Sequence, residues 1–425
     1  MSDKLYEEIT SSTNGKYEKI LRALESSDVK AHFDDSLENQ LVLNMGPQHP
    51  ATHGVLRLLV SLDGETVVNC LPDVGYLHRG YEKIAENMTY YEFIPHTDRL
   101  DYLSPLANNV CYAMSVEKIL KMEVPPRALY IRTICCELAR IASHLVWLGT
   151  MAMDVGALTV FLWSFREREK ILDILDILTG VRFTTTYTRI GGIAYDMSDE
   201  VKARTKIFLD EFGKNLMECR DLIERNKIFI ERCEGVGYIS KEDAISIGLT
   251  GPNLRACGIA RDLRIDDPYL VYKELDFNIP TETESDVLAR YYVRIKELSE
   301  SRKILYQCLE KIPAGAFSTD DTKNVLPDKN EVYTKMEELI QDFMIVNFGT
   351  AAEKGAESYF AIESSKGELG FYLISDGKGY PFRLKIRSPS FAALQALQIM
   401  TKNCMISDIV AIIGSIDPVM GEADK

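Results

Sequence analysis

Six apolar residues at three-four spacing constrain this fold more than any other feature of the chain. Ile131, Ile134, Leu138, Ile141, Leu145 and Leu148 draw one apolar stripe along a long helix, with Arg132, Glu137, Arg140 and His144 on its opposite side. Leu288, Tyr291, Ile295, Leu298, Leu305, Leu309 and Ile312 repeat the spacing in a second long helix. Between them, Ser198 opens a helix that runs to about Glu234 and stops at Gly235. Ser240 and Asp243 follow with a capping-box pattern. Helices that each carry an apolar stripe bury it on one another, so residues 111 to about 350 are expected to form a bundle.

Strands flank this helical region. Leu41–Met45, Val55–Leu62 and Glu65–Cys70 read as strands, the last two joined by a tight Asp63-Gly64 turn. Tyr359–Glu363, Gly370–Ser375 and Phe382–Arg387 are a second set, separated by turns at Ser365-Lys366-Gly367 and Asp376-Gly377. A helix from Pro389 to about Thr401 and an apolar run to Ile413 lead to a tail at Asp417. The expected class is α+β, a central long-helix bundle flanked by small antiparallel β elements. It divides into an extension (1–40), an N-terminal α/β region (41–110), the bundle (111–350) and a C-terminal α+β region (351–425). Within the extension only one short helix, near Tyr17 to Leu24, is expected, and the segment reads as loose or as docking on a partner.

Charge and apolarity narrow the function. The net charge of -15 argues against nucleic acid and against adhesion to anionic lipid, both of which need clustered Lys and Arg. The N-terminal residues MSDKLYEEITSSTNGKYEK have no apolar run and do not read as a secretory signal. The stretch nearest to a membrane span, Ile406 to Ile416, is short and carries Ser407, Asp408 and Ser415. The nine cysteines include no C-x-x-C pair and read as buried small hydrophobes in a reducing compartment. Cys135 and Cys136, being adjacent, would face different sides of a helix.

Two stretches carry chemistry. The loop Gly46-Pro47-Gln48-His49-Pro50-Ala51-Thr52-His53-Gly54 holds two of the six histidines, and its prolines and glycines oppose both helix and ladder. It reads as a turn with incidental imidazoles, as a metal site short of a third ligand, or as a ligand-capping loop whose His53 donates a hydrogen bond. The tail is Asp417-Pro418-Val419-Met420-Gly421-Glu422-Ala423-Asp424-Lys425. It is similar to the C-terminal Asp-Pro-Cys-x-x-Cys motif of nickel-iron hydrogenase large subunits, with Val419 and Glu422 in the cysteine positions. Arg99-Leu100-Asp101-Tyr102-Leu103-Ser104 likewise resembles the N-terminal Arg-x-Cys-x-x-Cys motif, with Asp101 and Ser104 in place of the thiolates. A nickel site needs soft thiolate ligands, and these residues supply none.

Gly46 to Gly54, Tyr76 to Glu82, Asp98 to Ser104, Met153-Asp154-Val155-Gly156-Ala157 and the tail together resemble the hydrogenase-like quinone-binding subunit of respiratory complex I. The resemblance covers roughly residues 40 to 425 and implies a hydrogenase large-subunit-like fold. It implies a subunit without a cofactor of its own, active only in the multi-subunit proton-translocating NADH:quinone oxidoreductase. A [4Fe-4S] cluster would lie in a partner subunit, and a membrane subunit would supply the quinone channel. The chain would sit peripherally, through its partners, on the cytoplasmic side of the inner membrane. At matching positions, Tyr102 and His53 would bind the quinone headgroup, Asp154 would be the acidic partner of His53, and Arg99 would stand beside the cluster. Plainer readings make Tyr102 a core residue with a satisfied hydroxyl, Asp154 a cap for the helix near Gly156, and Arg99 half of a surface salt bridge. The sequence departs from many relatives at Thr184, where they carry a histidine near the cluster. That departure implies a weaker pH dependence of the cluster potential and suits a low-potential quinone such as menaquinone, although the sequence itself does not decide between menaquinone and ubiquinone. The rival functions are a metal-containing hydrogenase relative and a non-catalytic scaffold of a related membrane-bound hydrogenase or ferredoxin:quinone-type complex.

Overall fold

The structure, a computed structural model, describes residues 41–321 and 323–425; the short helix expected near Tyr17 to Leu24 lies outside them. Strands β1 (Leu41–Met45), β2 (Arg57–Asp63) and β3 (Thr66–Asp73) form an antiparallel meander, with Gly64 in the β2–β3 turn at φ 59°. Two short strands, β4 (Thr188–Arg189) and β5 (Gly192–Ile193), pair as a small ribbon. A second meander comprises β6 (Glu357–Glu363), β7 (Glu368–Ser375) and β8 (Pro381–Arg387). The expected strands are therefore present with edges shifted by up to three residues. Mixed helix and small antiparallel sheets give an α+β architecture.

The long helices are α1 (Pro105–Leu120), α2 (Pro126–Asp154), α3 (Leu158–Thr179), α4 (Asp199–Glu224) and α5 (Val287–Lys311). α2 is the hub: it packs on α1, α3 and α5, while α1 also lies across β6 and β7. The helix expected from Ser198 to Glu234 is interrupted, because Asn226 accepts from the N–H groups of Ile228 and Phe229 and starts a new helix at Lys227. The capping box at Ser240 is only half formed. The Ser240 hydroxyl takes the Asp243 N–H at 3.1 Å, but the short Asp243 carboxylate accepts from that hydroxyl at 2.7 Å. The helix expected from Pro389 to Thr401 is split at Ala396 into Pro389–Gln395 and Leu397–Met400.

The side of α2 opposite its apolar stripe is not a solvated face. Arg132, Glu137, Arg140 and His144 are all buried. Each has a charge or carbonyl to meet: Arg132 grips Glu117 in bidentate fashion at 2.5 and 2.8 Å, and His144 Nε2 meets Glu297 at 2.9 Å. Arg140 donates to the Ser364 and Glu363 carbonyls at 3.0 and 2.5 Å, while Glu137 accepts from the Tyr272 hydroxyl at 2.7 Å. Burial holds the His144 pKa down to about 4, so its imidazole is neutral beside an ionised Glu297. One continuous apolar core runs from Met45 to Ala423, and each buried Leu or Ile in it contributes about 2 kcal/mol. All nine thiols are free; eight are buried and Cys404 is partly exposed. No helix of the described residues is long and apolar enough to cross a membrane.

Candidate functional site

The loop between β1 and β2 does accommodate one turn of 3-10 helix, Pro50–Thr52. Proline is tolerated there because the first turn of a helix needs no N–H from it. His49 Nδ1 accepts from the Ala51 N–H at 3.2 Å, and the Thr52 hydroxyl donates to the His49 carbonyl at 2.9 Å. His53 follows in the left-handed conformation at φ 51°. Its Nε2 meets Asp154 Oδ2 at 2.6 Å, with both side chains largely withdrawn from solvent at 14% and 13% exposure. Asp154 ends α2, and α3 starts at Leu158 behind an Ala157 N-cap. The Asp154 carboxylate is therefore spent on His53 and not on capping.

The C-terminal tail supports this pair. Helix α6 (Asp408–Ile416) brings Gly414 beneath it: a methyl group at Gly414 would stand 3.7 Å from both His53 Nε2 and Asp154 Oδ2. From the other side, Trp147 Nε1 donates to the Gly414 carbonyl at 2.7 Å. Arg294 donates to the Ser415 carbonyl at 2.7 Å, and Arg290 to the Ser415 hydroxyl at 2.9 Å. Two buried cations at the end of α6 complement its dipole. Beyond it, α7 (Met420–Ala423) lays Met420 against Gly54 and Gly421 against Tyr102. A methyl on Gly421 would lie 3.4 Å from Tyr102 Cδ1 and only 2.5 Å from the Leu100 carbonyl oxygen. Loop, tail and tyrosine thus meet around one segment.

Tyr102 is half-buried, tilted against Phe183 with ring centroids 6.4 Å apart. Among the described residues its hydroxyl has no hydrogen-bond partner. Burial, then the charges of Asp101 and Asp417, push its pKa above that of an ordinary phenol. It therefore stays protonated and able to donate.

The positions compared with hydrogenase cysteines also come together, because Gly421 abuts the backbone of Arg99 and Leu100. Asp101, Ser104, Val419 and Glu422 are all buried. No group of three or more His, Cys, Asp or Glu among the described residues is arranged to hold a metal. Sequence reasoning missed Lys366, taken for a turn residue between β6 and β7. It is buried and salt-bridged to Asp417, with Ser143 Oγ 3.0 Å from its ammonium group. It also missed Ser390, whose N–H reaches Glu422 Oε1 at 3.1 Å and whose hydroxyl bonds the same oxygen. A buried Asp417 demands a cation, but nothing in the sequence says which of 49 lysines and arginines supplies it.

Arg99 is exposed, donates to the Pro95 carbonyl at 2.5 Å and makes no salt bridge among the described residues. The segment containing Thr184 is tied down nearby, where Thr186 bonds Asp98 through both its N–H, at 3.0 Å, and its hydroxyl. Thr184 itself has φ 54° and donates to the Phe183 carbonyl at 2.7 Å. A cleft of about 600 Å³ beside the tail is lined by Val74, His78, Arg387 and Lys425 among others, and includes neither Tyr102 nor His53.

Comparison with known proteins is decisive at the level of family. The profile described as "Respiratory-chain NADH dehydrogenase, 49 Kd subunit" matches residues 154–425. The first NADH-quinone oxidoreductase D-type subunit of Chloroherpeton thalassium is 57% identical over 410 residues, 96% of this chain and 93% of the relative. The D-type subunit of Salinibacter ruber is 52% identical over 391 residues, covering 92% and 87% respectively. That of Methylacidiphilum infernorum is 54% identical over 386 residues, covering 91% and 92%.

Proposed function

The chain belongs to the family of NADH-quinone oxidoreductase D-type subunits, and from that premise we propose that it forms one wall of the quinone-reduction site. It is a core subunit of complex I and works as part of that oxidoreductase with the other subunits. The metal-containing and scaffold alternatives are not favoured by relatives this similar.

Within this reading Tyr102 and His53 receive the quinone headgroup. Reduction of a quinone consumes two electrons and two protons, and negative charge develops on its two carbonyl oxygens. Donors already in place lower the cost of that charge. The observation that supports this role best is the common seat on the tail: Gly414 under the His53–Asp154 pair and Gly421 against a phenol without a partner among the described residues. A phenol donates one hydrogen bond and then its proton; an imidazole held by a carboxylate does the same from the other side. Asp154 acts through His53 and is a positioning residue. A partner subunit with a [4Fe-4S] cluster would complete the site, with exposed Arg99 facing that cluster and the quinone arriving through a membrane subunit. The fold would be of the hydrogenase large-subunit type, with the thiolates of the metal site replaced. The chain would lie peripherally on the cytoplasmic face of the inner membrane.

The test is Tyr102→Phe in the assembled complex. Quinone reduction is expected to fall by roughly 10²-fold or more, the usual contribution of a positioned proton donor. Reduction of an artificial acceptor that takes electrons upstream should persist. Equal retention of both activities would remove Tyr102 from the chemistry.

A further inference from the structure

The turn that ends α6 lacks the donors that a helix end commonly finds nearby. The last carbonyls of a helix have no partner within it. Here the chain leaves α6 through Asp417 in the left-handed conformation, φ 54°, and the next residue is Pro418. Proline has no N–H, so the donor that a continuing helix would bring to the Gly414 carbonyl, four residues back, does not exist. The Val419 N–H, which would serve Ser415 in the same way, turns instead to the Ser390 hydroxyl at 3.2 Å.

Side chains from other elements take over. Trp147 Nε1 donates to the Gly414 carbonyl at 2.7 Å and Arg294 to that of Ser415 at 2.7 Å. Asn253, from the short helix Pro252–Arg255, donates to that of Ile416 at 3.3 Å. Arg294 ties the three together: its guanidinium lies 4.6 Å from the centroid of the Trp147 ring and donates to Asn253 Oδ1 at 3.1 Å. All three side chains are buried, where a carbonyl stripped of its donor cannot turn to water.

Of these donors, Trp147 is the one joined to the site. It stands on α2 seven residues before Asp154, close to two turns, so indole and carboxylate project from the same side. Gly414 lies along this stripe. Its carbonyl meets the indole, and a methyl added to it would stand 3.5 Å from Met151 Cγ and 3.7 Å from Asp154 Oδ2 and His53 Nε2. α6 also packs on the 3-10 turn that leads into His53. Sliding α6 along α2 would therefore move the seat of both partners, and the indole N–H bond is a directional contact that opposes such sliding.

We propose that Trp147 is a positioning residue for quinone reduction. Its N–H replaces the one that Pro418 lacks, fixes the register of α6 against α2, and so holds the seat under the His53–Asp154 pair. The inference rests on the role given to His53 above.

The experiment compares Trp147→Phe with Trp147→His in the assembled complex, at equal levels of assembly read from the upstream-acceptor reaction. Phe fills space without a donor. His gives up bulk but lays its five-membered ring on the pyrrole ring of the indole, with Nε2 in the place of the indole nitrogen. Quinone reduction by Trp147→Phe should fall by roughly 10- to 10²-fold, the scale that a misplacement of about 1 Å costs, and Trp147→His should recover most of it. The reverse order, or no loss in Trp147→Phe, would mean that the indole acts by bulk and overturns the inference. If Trp147→Phe does not assemble, Trp147→Met takes its place, being flexible enough to fill the gap and equally without a donor. A second arm repeats the comparison in His53→Asn, since Asn tolerates the left-handed backbone at that position. There the two Trp147 variants should differ by less than about 2-fold, because residues acting through one another are not additive. A difference as large as before overturns action through His53 alone. A parent rate in His53→Asn itself sinks the reading of His53 and this inference with it, so the two failures are told apart.

Discussion

At the scale of single residues, the contact that organises the site is the 2.6 Å approach of His53 to Asp154 across 101 residues of sequence. Under the role proposed for His53, quinone reduction would draw a proton from the imidazole, break this pairing and leave a charge change beside α6. We predict that Asp154→Asn lowers the number of protons pumped per quinone reduced; a variant complex pumping with normal stoichiometry would sink this coupling. Glu422 offers a second prediction. Its pKa in the folded protein, about 8, lies above the unfolded carboxylate value of 4.5. The folded state therefore binds more protons than the unfolded one between these values, and stability falls as pH rises through that window. Glu422→Gln removes the titration, so the half-inactivation temperature should decline less as the pH rises from 4.5 to about 8 than in the parent. A variant with the parent's slope would contradict this.

At the scale of elements, two glycines of the tail make opposite demands. A methyl group at Gly421 would approach the Leu100 and Arg99 carbonyl oxygens to 2.5 and 2.8 Å, well inside contact distance, and neither backbone can rotate away. At Gly414 the nearest atom would be Met151 Cγ at 3.5 Å, an ordinary contact. Gly421→Ala should therefore cost about 1–3 kcal/mol of overpacking and displace Tyr102. Its quinone reduction should drop further than that of Gly414→Ala at equal levels of assembled complex. Equal activities would show that α7 has room to move.

At the scale of the whole molecule, the buried charges of the bundle act as a unit. Glu297 joins His144 on α2 to Arg255, which also reaches Glu363 at the end of β6. Breaking a buried pair leaves an uncompensated charge, so Glu297→Ala should cost about 3–5 kcal/mol and lower the half-inactivation temperature, while the conservative Gln costs less. Equal thermal stability of Glu297→Ala and the parent would refute this cooperative role.

Much of this was legible in the sequence. Periodicities of 3.6 and 2 along one segment depend on its own side chains, so three of the five long helices and both meanders could be read, the strands with edges off by up to three residues, while the helix from Ser198 was read past its break at Asn226. The roles proposed for Tyr102, His53 and Asp154 came only from the resemblance of their motifs to a known family, because each residue taken alone allows a plainer reading. Partnership across the chain was not legible. Arg132, Glu137, Arg140 and His144 could be placed on one side of α2, but a charge in the sequence carries no sign of the opposite charge brought to it from elsewhere. Lys366 looked like a turn residue for the same reason. Local chemistry determined which segments become helix or strand; only tertiary packing decided which buried charges meet, because the free energy of a buried ion depends on the groups folded around it.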